Sequence, residues 1–144
     1  WCIARSPLIM GGDLRHLDAF TLELLTNEEI IAVNQRSSNN RVLLERATAG
    51  WTAAGVWFDR QDAVAWTADI PGADGKYVAL FNLADRPEGS SKPGGRIEVA
   101  LSDIGFNEAV AVRDLWRRRN IGMRRARLAP VVPWHGAVLY ELRA

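Results

Sequence analysis

Apolar positions near the start of the chain form one short continuous run, followed by two stretches with helical spacing. Leu8–Met10 is wholly apolar and lies between a proline and two glycines, which predicts a strand buried on both faces. Asp18 is a candidate N-cap for a helix that ends at Leu25, and Asn27 is a candidate N-cap for a second helix over Glu28–Val33. A strand buried on both faces needs neighbouring strands and a covering layer on each side. We therefore expect the first 35 residues to be the end of a larger α/β domain.

Beyond the polar run Arg36–Asn40, which is typical of a linker, the helical spacing gives way to short segments rich in Val, Ile, Trp and Tyr. The predicted strands are Arg41–Glu45, Gly55–Phe58, Asp62–Ile70, Lys76–Asn82, Arg96–Leu101, Ala109–Trp116, Arg124–Leu128 and Gly136–Leu142. Short strands with regular turns predict an antiparallel β-sandwich. The expected fold is therefore mainly β, with a terminal βα unit in residues 1–40 followed by the sandwich in residues 41–144.

The composition is that of an ordinary globular domain, and it narrows the classes of partner. Hydrophobic residues make up 48% and charged residues 24% of the chain, which suffices for a packed core. The formal net charge of +1 provides no general attraction to nucleic acid or to anionic membranes. No apolar run approaches the ~20 residues needed to span a bilayer. We therefore expect neither nucleic acid nor a membrane as a partner.

Several motifs along the chain form a pattern that occurs together in one enzyme family. They are Ser6–Arg15 (SPLIMGGDLR), Leu24–Asn27, Ile31–Gln35, Tyr77–Asn82, Val112–Trp116, Pro133–Gly136 and Val138–Leu142. On these residues the chain resembles glycoside hydrolase family 27, the clan D α-galactosidases and α-N-acetylgalactosaminidases. The three N-terminal motifs are specific, and the later ones are looser. The chain continues after Gln35 with Arg-Ser, where the family often has Asp-Pro, so the resemblance leaves the sugar open.

The resemblance implies a (β/α)8 barrel, whose last strand and helix correspond to the start of this chain, followed by a β-sandwich. It implies a retaining enzyme that acts on terminal α-linked galactose or a related sugar, in a secreted or periplasmic parent protein. The two catalytic aspartates and the sugar-binding segment of the family stand in earlier motifs that do not occur in this sequence. We therefore expect no catalytic, substrate-binding or cofactor-binding residue here. The expected partners are the remainder of the barrel and the parent's carbohydrate substrate, and the chain alone should be inactive.

Four residues of the N-terminal motifs are candidates for structural roles. Asp13 follows the predicted strand Leu8–Met10, at the edge of a barrel where catalytic groups gather. A single carboxylate lacks the second one that glycoside hydrolysis needs. We therefore interpret Asp13 as a salt bridge or cap that fixes the strand-to-helix turn, with Arg15 as its fork-shaped partner. Asn34 and Gln35 are structural candidates of the same kind.

The other reactive side chains show no pattern of a metal or nucleophile site. His16 and His135 are too far apart in sequence to suggest a pair of metal ligands. Cys2 has no identifiable activating neighbour, so we interpret it as an inert, buried thiol. We therefore predict no bound metal and no cofactor.

A carbohydrate-binding module is one alternative function that the residues leave open. Its platform would consist of exposed tryptophans, for which the candidates are Trp51, Trp57, Trp66 and Trp134. Trp66 alternates with Val64 and Ala68 along one predicted strand, which is typical of a core position instead. The alternative therefore depends on how exposed these indole rings are.

Seven arginines are concentrated in the last third of the chain. They are Arg113, Arg117, Arg118, Arg119, Arg124, Arg125 and Arg127. Such a cluster could form a nucleic-acid-binding surface, but those surfaces usually add exposed stacking rings, and Trp116 is the only aromatic residue nearby. We favour the interpretation that the arginines lie on a hairpin and its solvent-exposed face, with their stems covering apolar surface.

Overall fold

The N-terminal part of the protein contains two short helices that lie against a β-sheet. The computed structural model describes residues 1–43 and 63–144, so the predicted strand Gly55–Phe58 lies outside the described residues. A 3-10 turn at Leu14–His16 precedes helix α1, Ala19–Leu25, and helix α2, Glu28–Arg36. Both predicted helices are confirmed, and α2 extends three residues beyond its expected end.

Each helix begins at the side-chain cap that the sequence predicts. The Asp18 carboxylate accepts the backbone N–H of Thr21 at 2.7 Å. The Asn27 side-chain oxygen accepts the N–H groups of Glu29 and Ile30 at 3.2 and 3.3 Å. These bonds satisfy amides that have no partner inside a helix.

The predicted strand Leu8–Met10 is wrong for this structure. The segment has no regular secondary structure, and its three side chains are 50%, 88% and 41% exposed. A strand exists through hydrogen bonds to a neighbouring strand, and no strand of the described residues pairs with this segment. The apolar run therefore lies at the surface instead of inside a sheet.

One six-stranded sheet forms the centre of the described structure. Its strands are β1 Ser38–Val42, β2 Ala63–Asp69, β3 Gly75–Asn82, β6 Val110–Asp114, β7 Arg119–Arg124 and β10 Ala137–Arg143. They follow one another across the sheet in the order β1-β2-β3-β10-β6-β7, and every neighbouring pair is antiparallel. β2 and β3 form a hairpin, and Gly72 in its turn adopts the left-handed region at φ +74°.

A second layer of shorter strands covers one face of this sheet. It contains the antiparallel pairs β4 Gly94–Arg96 with β9 Val131–Pro133, and β5 Val99–Ala100 with β8 Arg127–Leu128. Apolar residues from both layers form one core between them, among them Leu80, Leu101 and Leu142, each at most 1% exposed. The mainly β, antiparallel sandwich expected from the sequence is confirmed.

The strand bounds differ from the predicted ones where turns interrupt apolar segments. The predicted strand Arg96–Leu101 is divided into β4 and β5, and its last residue begins a 3-10 turn at Leu101–Ile104. Of the predicted strand Arg124–Leu128, Arg124 ends β7 and Arg127–Leu128 forms β8, because Ala126 adopts a left-handed conformation at φ +68° that breaks the extended chain. The rest of β7 was not predicted. Strand β9 was not predicted, since it is only three residues long.

Helix α2 covers the opposite face of the six-stranded sheet. Ile30 and Val33 of the helix are 3% and 0% exposed and pack in one cluster with Tyr77, Ala79 and Leu139 of the sheet. Side chains along β3 therefore alternate between the sandwich core and the helix, as the period of a strand requires. Burying an aliphatic side chain of this size stabilises the fold by about 1.5–3 kcal/mol.

The predicted linker Arg36–Asn40 is mostly structured. Arg36 ends α2, and β1 begins at Ser38 and pairs with β2. Its polar side chains serve as connectors, because Asn40 donates to the Ile3 carbonyl and to the Ser37 hydroxyl, both at 2.7 Å. The division into residues 1–40 and 41–144 stays a prediction.

Candidate functional site

An apolar groove lies between the N-terminal segment, the helices and the sheet. It has a volume of about 550 Å³. The N-terminal side contributes Trp1, Ile9, Met10 and Leu24, and the sheet contributes Phe81 and Leu139. We call this feature the N-terminal groove. Its apolar lining suits contact with another apolar surface and offers few groups for chemistry on a polar substrate.

Arg5 anchors the N-terminal segment to the end of α2. Its guanidinium donates to the carbonyls of Asn34 at 3.1 Å, Ser37 at 3.0 Å and Gln35 at 3.5 Å. Carbonyls in the last turn of a helix have no hydrogen-bond partner within the helix. A guanidinium there stabilises the helix end because it donates hydrogen bonds to these carbonyls and because its positive charge interacts favourably with the helix dipole. Arg5 itself ends the turn formed by residues 2–5, with a backbone φ of +52°.

Of the four predicted structural candidates, Asn34 and Gln35 lie in this anchored region. The Asn34 side chain donates to the Ser6 carbonyl at 2.8 Å, which adds a second bond between the segment and α2. Gln35 contributes its backbone carbonyl to Arg5, and its side chain is exposed and lines the groove.

Asp13 and Arg15 form a compact exposed cluster together with His16. The Asp13 carboxylate accepts the Arg15 guanidinium through both oxygens at 3.0 Å, and His16 Nδ1 lies 2.9 Å away. Hydrogen bonds from the Arg15 guanidinium, then from His16, lower the pKa of Asp13 to about 2. A carboxylate with this pKa is ionised at neutral pH, so it cannot deliver a proton as a general acid. The structure thus joins Asp13 and Arg15 to each other. Asn34 bonds to Ser6 instead and belongs to a different set of contacts.

Asn27 ties the start of α2 to the sheet. Besides capping the helix, its side-chain amide donates to the Leu115 carbonyl at 3.0 Å, and the residue is 1% exposed. The helix cap was predictable from sequence, whereas the bond to a carbonyl 88 residues away has no local signal.

Glu29 and Arg113 make the second tie between α2 and the sheet. Two parallel bonds of 2.7 and 2.8 Å join the carboxylate and the guanidinium, and both side chains are about one-third exposed. The Arg113 hydrogen bond lowers the pKa of Glu29 below that of an ordinary glutamate, against the opposing effect of burial. In the sequence, Arg113 belongs to the arginine cluster and Glu29 lies in the first turn of a predicted helix, and no local signal connects the two.

The tryptophans differ widely in their surroundings. Trp66 and Trp116 are half-buried and pack against the cluster between α2 and the sheet. Trp134 is also half-buried, and its indole N–H donates to the Lys92 carbonyl at 3.0 Å. Trp51 and Trp57 lie outside the described residues, so a sugar platform that includes them stays a prediction.

His16 and His135 lie in separate parts of the structure, each beside one aspartate. His135 Nε2 is 2.7 Å from Asp85, far from the Asp13 cluster in sequence. Within residues 1–43 and 63–144, no group of three or more His, Cys, Asp or Glu side chains has the arrangement of a metal site. Burial raises the pKa of the Cys2 thiol, which is half-buried beside the groove. None of the helices that the structure describes is long and apolar enough to span a membrane.

Comparison with protein families assigns the β-sandwich to a known domain family. Residues 60–142, more than half of the chain, match the family described as the alpha galactosidase C-terminal beta sandwich domain. The chain belongs to this family. The resemblance to the α-galactosidases that the motifs indicated is thereby confirmed, and the alpha-galactosidase relatives below extend it to the N-terminal residues.

Relatives of this alpha-galactosidase C-terminal domain are much longer than the chain itself. Alpha-galactosidase 2 of Arabidopsis thaliana is 30% identical over 99% of this chain and 31% of the relative. Alpha-galactosidase of Coffea arabica is 31% identical over 99% of this chain and 33% of the relative. The chain thus spans about a third of the length of these two curated relatives.

Solved structures share the fold of the described residues. A GH27 β-L-arabinopyranosidase from Geobacillus stearothermophilus superposes with a TM-score of 0.80 at 32% identity, covering 100% of this chain and 28% of that one. Alpha-galactosidase I from Mortierella vinacea gives a TM-score of 0.76 at 23% identity, covering 99% and 33%, which shows the shared fold.

Proposed function

We propose that this chain is the C-terminal part of a retaining glycoside hydrolase of the α-galactosidase type. In this proposal, residues 1–40 complete a (β/α)8 barrel and residues 41–144 stabilise it as a sandwich packed on the outside. The chain would serve barrel closure and stability, and the parent enzyme would hydrolyse terminal α-linked galactose or a related pyranose. The length of the relatives, about three times that of this chain, supports a larger enzyme.

The observation that carries the proposal is the N-terminal groove and the apolar side chains around it. Trp1 is 86% exposed, Ile9 88% and Leu8 50%, and all three line a groove whose other residues are mostly apolar. Several exposed apolar side chains beside an apolar groove on a folded protein are typical of a surface that contacts another protein surface. The missing part of a barrel would cover it and would give Leu8–Met10 the strand neighbours that the segment lacks among the described residues.

The proposed role is one of positioning, not of bond cleavage. A retaining glycosidase uses a nucleophile and an acid/base about 5–5.5 Å apart, and the Asp13 cluster holds a single ionised carboxylate. We assign both catalytic carboxylates to earlier strands of the parent barrel. Asp13 and Arg15 would then fix the turn after the last strand, at the edge where barrel enzymes place their active sites.

A chimeric enzyme tests this function. The segment of the Geobacillus β-L-arabinopyranosidase that aligns with this chain is replaced by the 144 residues, and hydrolysis of nitrophenyl β-L-arabinopyranoside and α-D-galactopyranoside is measured. We expect activity from the soluble chimera on at least one of the two glycosides and none from the chain alone.

Matched charge insertions locate the contact. Ile9→Glu places a carboxylate in the proposed barrel interface, whereas Val131→Glu places one at a 49% exposed apolar position on β9. Ile9→Glu should abolish activity or soluble yield, and Val131→Glu should leave both close to those of the unmodified chimera. Turnover by the chain alone, or equal activity of the two variants, would contradict the proposal.

A further inference from the structure

The positive charge of the protein is concentrated in one hairpin and the turn that follows it. Residues 113–127 contain seven arginines and one acid, Asp114, which gives a formal charge of +6 in a chain whose total is +1. The arginines lie on and next to a hairpin, as predicted, since β6 and β7 pair antiparallel around the turn at 115–118. The remaining residues are therefore net acidic, and the charge is strongly asymmetric.

Three of the seven arginines are neutralised by carboxylates. Arg113 pairs with Glu29, as described above, and Arg117 lies 3.3 Å from Asp114, whose side chain is 6% exposed. Arg127 lies 2.8 Å from Glu98. These arginines have structural partners and are not available to a ligand without breaking an ion pair.

The other four carry charge that the described structure leaves largely uncompensated. Arg118, Arg119 and Arg124 have no carboxylate within 4.0 Å in the described ranges, and Arg124 instead donates to the Met123 carbonyl. Arg125 lies 3.7 Å from Glu108, but both side chains are about four-fifths exposed, so the attraction is weak. We call Arg118, Arg119, Arg124 and Arg125 the arginine surface.

The fold arranges these side chains in two groups along one edge of the sheet. β7 is the last strand in the sheet order, and within the described residues it pairs only with β6. Arg118 and Arg119 mark one end of β7, and Arg124 and Arg125 mark the other. β7 contains a bulge at Gly122, φ +88°, so Arg119 and Arg124 lie opposite Asp114 and Val110, four residues apart on β6, and the two groups are ~13 Å apart. Arginines on an edge strand discourage pairing with other strands, and they also create a positive potential along that edge.

We propose that the arginine surface binds an anionic polysaccharide through its carboxylate or sulfate groups. Guanidinium groups bind such oxyanions bidentately, and the ~13 Å spacing between the two groups favours a chain of sugar units over a single sugar. Nucleic acid is disfavoured because Trp116, the only aromatic residue in 113–127, is packed against the α2 cluster and cannot stack on a base. The choice of a saccharide among polyanions rests on the proposed function, whereas the binding surface does not.

Binding to oligogalacturonates of increasing length tests the proposal with the 144-residue chain. Titration calorimetry at low salt should give affinity that rises from galacturonate monomer to oligomers of six or more units, with none for a neutral galacto-oligosaccharide of equal length. The affinity should fall steadily as salt is added, since the contacts are ionic. A sulfated oligosaccharide of the same length identifies which oxyanion is preferred.

Charge-matched variants separate the surface from net charge. Arg119→Gln with Arg124→Gln removes one exposed and one half-buried cation and should weaken binding about fivefold. Lys92→Gln with Arg96→Gln removes two exposed cations outside the arginine surface and should have little effect. Circular dichroism confirms that both double variants are folded.

Three results would overturn the proposal. These are no binding of any oligogalacturonate at low salt, equal weakening by the two double variants, and equally tight binding of single-stranded DNA of the same charge. Because hydrolysis is not measured, failure here leaves the chimera experiment unaffected, and an inactive chimera leaves this binding unaffected.

Discussion

Asn27→Ala should destabilise the protein more than the loss of a helix cap alone. Asn27 is 1% exposed and satisfies both the first turn of α2 and the carbonyl of Leu115 in the sheet. Losing an N-cap costs about 0.5–2 kcal/mol. Leaving a buried carbonyl without a donor costs about 1–3 kcal/mol more. We therefore expect the free energy of unfolding to fall by about 2–4 kcal/mol, when both central ranges are added.

Two further variants resolve the two contributions. Asn27→Ser keeps a cap oxygen but loses the amide donor to Leu115. Its free energy of unfolding should therefore lie between those of the wild type and Asn27→Ala. Asp18→Ala removes the cap of α1, a helix with no buried residue, and should cost the least of the three. Urea unfolding followed by circular dichroism gives the free energies, and Tm should fall by about 6–12 °C for Asn27→Ala, at roughly 3 °C per kcal/mol. A loss for Asn27→Ala no larger than that for Asp18→Ala would refute the assignment of Asn27 as a tie to the sheet.

Three other perturbations test the ties of the N-terminal segment and the groove. Because Arg113 lowers the pKa of Glu29 in the folded state, ionised Glu29 contributes stability that is complete above the ordinary glutamate pKa of ~4.3 and is lost as the pH falls through the lowered value. Glu29→Gln should therefore flatten the acid side of a stability–pH curve, and an unchanged curve would contradict the ion pair. Arg5→Met should speed amide hydrogen exchange in residues 1–6 without changing exchange in the sandwich core, and equal protection in both proteins would show that Arg5 is not the anchor. Ile9→Glu should reduce the fluorescence of a bound apolar dye, with Val131→Glu as the control, and equal fluorescence of the two variants would place the dye elsewhere.

The sequence was most informative where structure depends on neighbouring residues. Asp18 and Asn27 could be recognised as helix caps because a cap needs only an oxygen two or three residues before the amide it accepts. Strands β2 and β3 were predictable because their segments are rich in β-branched and aromatic residues and are separated by turn residues. A turn whose left-handed residue is not glycine, such as the one at Ala126, has no turn signal in the sequence. The predicted bounds of the strands around it were therefore wrong.

Long-range contacts of the candidate site could not be predicted in the same way. Arg113 and Glu29 are 84 residues apart, and each had a sufficient local explanation in the sequence. The strand Leu8–Met10 shows the opposite case, in which a local pattern was clear but the outcome depends on partners. An apolar run becomes a strand only where another strand supplies hydrogen bonds, and the described residues supply none for it.

Amide hydrogen exchange of Leu8–Met10 is the most direct test of the central proposal. In the chain alone these residues have no strand partner among the described residues and should exchange rapidly. In the active chimera with the Geobacillus barrel, the same amides should become protected to the level of the sandwich strands, because they would pair with the neighbouring barrel strands. Rapid exchange at Ile9 and Met10 in an active chimera would contradict the proposal that this segment completes the barrel.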